Sequence, residues 1–131
     1  MKELKDNKAM KELKDYINEA LNEAIAIPRK FNTSFTYDDL GLEAEEAEFL
    51  KKYLKTDDVY QLPEFDDNGR NVKQFDKMYD LFNKSKELET FVFNYSTYTA
   101  YELPKGTVVV YMDDPGYNGS CFYLSSNKIN E

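Results

Sequence analysis

An α+β fold is the arrangement the sequence predicts: three N-terminal helices packed on a C-terminal antiparallel sheet of three to four strands. Three observations lead to it. Up to about Leu88 apolar residues recur at helical spacing, and beyond it aromatic, Thr and Val runs alternate with turn residues. Helices first and strands last favour segregated layers over an alternating parallel sheet. A chain of 131 residues that is 41% apolar also has enough material for one core without disulfide or metal. Residues 1–131 therefore read as a single domain.

The first predicted helix covers residues 1–26. Met10, Leu13, Ile17, Ala20, Leu21 and Ala24 form its apolar stripe, and Pro28 limits it. Met-Lys-Glu-Leu-Lys-Asp stands at residues 1–6 and again at 10–15, so residues 1–9 read as a frayed extension, with Met10 an alternative start. A polar, aromatic link spans 31–37. Thr36 and Asp39 have the spacing of a capping box and predict a second helix to about Lys55, burying Leu42, Phe49, Leu50, Tyr53 and Leu54. Glu46 falls inside that stripe. It reads either as a turn projecting beyond the core or as a partly buried carboxylate.

Residues 56–70 read as an acidic, turn-rich connection, since they contain Pro63 and Asn68-Gly69. Asn71, with Gln74 three residues on, predicts the cap of a third helix whose apolar face is Val72, Phe75, Met78, Tyr79 and Phe82. Strands are then expected at 91–93, 95–101, 107–112 and 120–125. Pro104-Lys105-Gly106 turns between two of them, and a loop over 113–119 separates the last pair.

Charge is the strongest compositional signal. The net charge is −8, and residues 31–70 hold 11 acids against 4 bases, so the excess is concentrated there. Such a surface repels nucleic acid and anionic lipid and attracts a basic protein partner. No direct nucleic-acid contact and no membrane association are expected, because no run of about 18 apolar residues exists. The charged N-terminus lacks the apolar core of an export signal, and the lone Cys121 makes no internal disulfide. Both point to a cytoplasmic location.

The sequence contains no His, which removes Ser-His and Cys-His relays and imidazole metal ligands. It also has no glycine-rich phosphate loop, and no cofactor is implied. Tyr111-Met112-Asp113-Asp114 resembles the Tyr-Met-Asp-Asp signature of reverse-transcriptase palm domains, where paired carboxylates hold magnesium. That resemblance spans four residues in a chain too short for such a polymerase, and Pro115-Gly116 after it reads as turn chemistry. Glu64–Gly69 resembles the first half of an EF-hand loop, yet Phe75 stands where the bidentate Glu belongs. Cys121, without a basic neighbour in sequence, reads as a packed thiol, and Tyr95–Tyr101 as either a sticky surface or an ordinary strand.

The acidic block carries the functional expectation. Asp38, Asp39, Glu43, Glu45, Glu48, Asp57, Asp58, Asp66 and Asp67, with Tyr60, are the candidate partner-binding residues. Carboxylates at helical neighbour spacing stand about 5–6 Å apart, close to the spacing of a phosphate backbone. A small acidic protein-binding inhibitor is therefore expected, a nucleic-acid mimic acting on a basic nucleic-acid-handling protein such as a restriction or CRISPR nuclease. In size and charge the chain is similar to the inhibitors that mobile elements use against those nucleases. Alternatives are a carboxylate- and metal-dependent enzyme using Asp113, Asp114 and Glu46, and an adaptor that self-associates through its N-terminal helix.

Overall fold

The computed structural model describes residues 33–114 and 119–127. Eight elements succeed one another there: β1 (Ser34–Thr36), α1 (Ala44–Leu54), β2 (Asp58–Pro63), α2 (Lys73–Phe82), β3 (Lys86–Phe93), β4 (Ser96–Glu102), β5 (Val108–Asp113) and β6 (Cys121–Leu124). The six strands make one sheet, ordered β1-β2-β6-β5-β4-β3, in which every neighbouring pair is antiparallel. This overturns the expected layout of three helices leading into three or four strands. Among the described residues there are two helices, the sheet dominates, and two of its strands precede α2. The predicted helix over 1–26, its extension 1–9 and the choice between Met1 and Met10 lie outside the described residues.

The errors have local causes. Thr36 and Asp39 do make the reciprocal bonds of a capping box, Thr36 N–H to Asp39 Oδ2 at 3.2 Å and Asp39 N–H to Thr36 Oγ1 at 3.1 Å. They close a turn and not a helix, because Gly41 adopts φ +67° and redirects the chain. A second box, Glu43 and Glu46, starts α1 instead. The 56–70 connection hides β2. Val59 and Leu62 bury into opposite faces of the sheet, and Pro63 sits at the strand's end, where a missing donor is tolerated. Asn71 does not cap α2: its side-chain amide donates to the Glu64 carbonyl and to Asp76, and Val72 holds the cap position.

One helix packs on each face of the sheet. On the α2 face Phe75 and Met78 meet Leu62, Leu103, Val109, Phe122 and Leu124. On the α1 face Phe49, Leu50 and Leu54 meet Val59, Tyr98, Ala100, Val110 and Tyr123. Strand β6 runs through the middle with all four residues buried, Phe122 and Leu124 on one side, Cys121 and Tyr123 on the other. A strand between two cores has no solvent face, which is why its sequence is apolar throughout and does not alternate.

The helices are offset. α1 packs over β5 and β3, while α2 packs against β2. Two quarters of the sheet thereby lie outside the helices among the described residues. The quarter on the α2 side over β3 and β4 carries Thr90, exposed Val92, Thr97 and buried Thr99, with the Thr90 and Thr99 hydroxyls 3.4 Å apart. The quarter on the α1 side, over β1, β2 and β6, carries Phe35, Gln61, Pro63 and Cys121.

Candidate functional site

The acid-rich stretch is split by β2. Register pairs Thr36 with Asp58, so the turn bearing Asp38 and Asp39 adjoins Asp57 and Asp58 at one end of the β1–β2 pair. Tyr37 is buried between them, donating its hydroxyl proton to the Thr56 carbonyl at 2.7 Å. Burial, with Asp57 and Asp58 adding their negative field, pushes its phenol up to about 12. Lys51 reaches over the Tyr37 ring at 5.3 Å. Asp66 and Asp67 stand at the other end of β2, roughly 20 Å away by strand rise.

Of the candidate acids, Asp38, Asp39, Glu43, Glu45, Glu48, Asp57, Asp58 and Asp67 are exposed. Asp66 is half-buried, and its Oδ1 accepts the Asn68 and Arg70 amide protons at 2.9 Å each. That is an Asx turn built from backbone bonds, with Phe75 in the α2 core; the EF-hand resemblance ends in a structural loop. Glu45 and Glu48 lie one turn apart on the outer surface of α1. Tyr60 is separated from the acids: it shares the sheet face of Leu62 and packs against the α2 core.

These acids belong to loops, to the outer surface of α1 and to the start of β2, where Asp58 shares the sheet face of Tyr60 and Leu62. The outer surfaces of both helices are mixed: Lys51 and Lys52 follow Glu45 and Glu48 on α1, and Lys73 and Lys77 stand among Asp76 and Asp80 on α2. Lys52 and Glu89 form an ion pair at 3.0 Å. There Tyr53 also donates to Glu89, and these two bonds hold its carboxyl below the usual range.

Beneath α1 lies a polar seam that sequence inspection found only in part. Glu46, 9% exposed, accepts the Glu43 amide proton at 3.1 Å through Oε1 and the Tyr98 hydroxyl proton through Oε2. The carboxylate that interrupts the apolar stripe is thus buried, and its two oxygens tie the start of α1 to β4. Tyr98 stacks on Tyr123, with ring centroids 6.4 Å apart. The Gln61 amide donates to Cys121 Sγ at 3.6 Å.

Burial, reinforced by the Glu46 bond, raises the Tyr98 phenol. Burial likewise raises Tyr123 and pushes the Cys121 thiol up to about 11. Such a thiol is protonated at neutral pH and a poor nucleophile. Each of these groups keeps its proton in the folded chain to a higher pH than in the unfolded chain. Their stabilisation is complete below the unfolded values and lost as pH rises through the folded ones. We therefore expect stability to fall from about pH 9, where an unfolded thiol ionises, through about 11 for Cys121 and about 12 for Tyr37. Urea midpoints measured from neutral to alkaline pH check this, with tyrosinate absorbance rising together with unfolding. A midpoint that stays level up to pH 11 contradicts it.

The Asp113-Asp114 pair does not converge. The Asp113 Oδ1 accepts the Ser120 hydroxyl proton at 3.1 Å, and its charge acts on Tyr111 on the α2 side. Asp114 lines the groove on the other side, where its charge acts on Tyr98. Successive strand residues point to opposite faces, so these two carboxylates do not share a metal-sized site. Among the described residues no group of three His, Cys, Asp or Glu side chains is placed to hold a metal ion. No helix among them is long and apolar enough to cross a membrane.

The groove is the feature the sequence did not disclose. It measures about 1170 Å³, with Phe35, Gln61, Pro63, Met112 and Cys121 along its floor and Asp67 and Asp114 among its walls. Gly119 belongs to its lining. Its φ is +90°, a conformation that favours glycine, and a Cβ there would stand 3.1 Å from Glu64 Oε1, which would have to give way slightly. Comparison with known proteins gives no matching family, no matching curated sequence and no matching solved structure.

Proposed function

We propose that this chain is a cytoplasmic protein-binding inhibitor that presents its acid-rich side to a basic surface of a nucleic-acid-handling protein. The observation that carries the reading is the crowding of exposed acids at one end of the β1–β2 pair. Asp38, Asp39, Asp57 and Asp58 crowd one end of the β1–β2 pair, whereas on both helices acids alternate with lysines. Exposed like charges held close together repel one another in the free protein, and a basic partner relieves that repulsion. A restriction or CRISPR nuclease, whose groove binds phosphates, offers such a partner. The division of the acids by β2 favours a compact patch as the contact over a continuous imitation of a phosphate backbone.

The test is binding of the purified chain to a panel of such nucleases, with duplex DNA as competitor. We expect the triple variant Asp38→Lys, Asp57→Lys, Asp58→Lys to lose about 100-fold or more in affinity, since like charges brought together across an interface cost several kcal/mol. Its thermal midpoint should stay close to that of the parent, because these side chains are exposed. Affinity of the parent should also fall steeply with salt. An unchanged affinity in the folded triple variant refutes the reading.

A further inference from the structure

We propose that two copies of this chain join through the outer edge of β3, with Phe91-Val92-Phe93 paired antiparallel to itself about Val92. Strand β3 closes the sheet opposite β1, and among the described residues only β4 pairs with it. An edge with unpaired N–H and C=O groups invites another strand unless charge, a bulge, a proline or shortness blunts it. β1 is blunted by its length of three residues. The first half of β3 is blunted as well. Lys86, Glu87 and Glu89 are charged, the register shifts between Glu87 and Glu89, and Lys52 and Tyr53 of α1 hold the Glu89 carboxylate. Residues 90–93 carry none of these devices. Thr90, Phe91, Val92 and Phe93 are all strand formers, Val92 is 63% exposed, and Tyr95 at the hairpin tip is 89% exposed.

Local geometry and residue order select a second copy as the occupant. A two-residue loop, Asn94-Tyr95, joins β3 to β4, so the closing pair Phe93–Ser96 is hydrogen-bonded across the hairpin. Alternation along the strand then turns the backbone groups of Phe91 towards β4 and those of Thr90 and Val92 outwards. Val92 opposite Val92 of the second copy exchanges both N–H···O=C bonds across the two-fold axis. Phe-Val-Phe reads the same in both directions, so Phe91 of each copy falls opposite Phe93 of the other. These are the non-hydrogen-bonded pairs, in which side chains stand nearest and aromatic rings stabilise the pairing. The rings are already in place. Phe49, Phe91 and Phe93 form a row running outwards from α1, with centroids 5.4 and 6.2 Å apart and planes inclined by 20° and 19°. Moving the axis to Phe91 would set Phe93 against Glu89, and a foreign strand has no share in the symmetry.

The association does not depend on the proposed function. Because β1 and β3 are opposite edges, it joins two sheets into one and leaves the acid-rich end of each β1–β2 pair open. Sedimentation equilibrium of the full chain tests it. So short a pairing makes a small interface, and a dimer with Kd on the order of 100 μM is expected. Each copy carries a net charge of −8, so raising the salt from about 0.05 to about 0.5 M should tighten the dimer several-fold by screening. Val92→Lys sets like charges opposite each other at an exposed position and should weaken the dimer at least about ten-fold. Val92→Pro takes away the N–H that crosses the axis while keeping an apolar side chain, at an edge site where proline is tolerated, and should weaken it by about as much. In the parent, exchange of the Val92 amide proton should slow as protein concentration rises. A chain still monomeric at about 1 mM, ten times the expected Kd, overturns the proposal. So does a dimer that salt weakens or that survives either variant in folded form. Val92 amide protection independent of concentration overturns it too, since the edge would then be covered within one chain.

Discussion

Phe122→Ala is expected to lower the unfolding free energy by about 3–5 kcal/mol, the range for an aromatic removed from a rigid core. Phe122 is fully buried in β6, and its ring is 5.1 Å from that of Phe75, 5.8 Å from Phe82 and 5.0 Å from Tyr111. Those neighbours come from α2 and β5, so no single element can move in to fill the space. Domains of this size are stable by only about 5–15 kcal/mol, and the variant should sit near the edge of folding at 37 °C. Urea denaturation with matched m-values measures the loss. A cost below about 1 kcal/mol would mean that the α2 face collapses around the gap, contrary to the tight ring cluster.

The second large effect concerns Glu46. Glu46→Ala should cost about 2–4 kcal/mol, because it deprives a buried phenol and a backbone amide of their common acceptor. Tyr98→Phe removes the phenol's hydroxyl and leaves the carboxylate with one partner, and should cost about 1–3 kcal/mol. The double variant Glu46→Ala, Tyr98→Phe should be less damaged than the sum, with a coupling of about 1 kcal/mol or more, because neither partner is then left unsatisfied. Glu46→Gln, which keeps one acceptor oxygen and puts an NH2 donor in place of the other, should lie between parent and alanine. Additivity of the two single losses would show that the bond contributes nothing of its own.

How much of each element was legible in the sequence depends on how that element is buried. α2 was legible because Val72, Phe75, Met78 and Phe82 bury a single stripe against a single core. The strands β4, β5 and β6 were legible because aromatic and β-branched runs between turn dipeptides have few other readings. β1 and β2 were not. β1 is three residues long, and β2 gives one buried residue to each face between blocks of aspartate, so neither repeats a period long enough to detect. Losing those two strands meant losing the groove, since Phe35, Gln61 and Pro63 lie on them.

In sequence the acidic residues form one array because they are close along the chain. β2 carries Asp66 and Asp67 away from the rest, a separation no charge count reveals. Glu46 shows the opposite case. A carboxylate inside an apolar stripe was the visible sign of a buried bond, although its partner, 52 residues away, was not legible.

The strand order has a consequence for how such a chain is assembled on the ribosome. The last described strand is the middle of the sheet, and Gln61 on β2 waits for Cys121, 60 positions later. The hairpins β3–β4, β4–β5 and β5–β6 close short loops. Tying β2 to β6 closes a far longer one, at a further entropic cost of about 0.6 kcal/mol for each doubling of length. During synthesis, at about 5–20 residues per second, β1, α1 and β2 emerge seconds before the strand that will bury Val59 and Leu62. Neither core can be completed in that interval, because β6 contributes to both. The N-terminal half therefore remains a client of whatever shields nascent chains until Cys121–Leu124 has cleared the exit tunnel, and both halves of the sheet then close around that one strand.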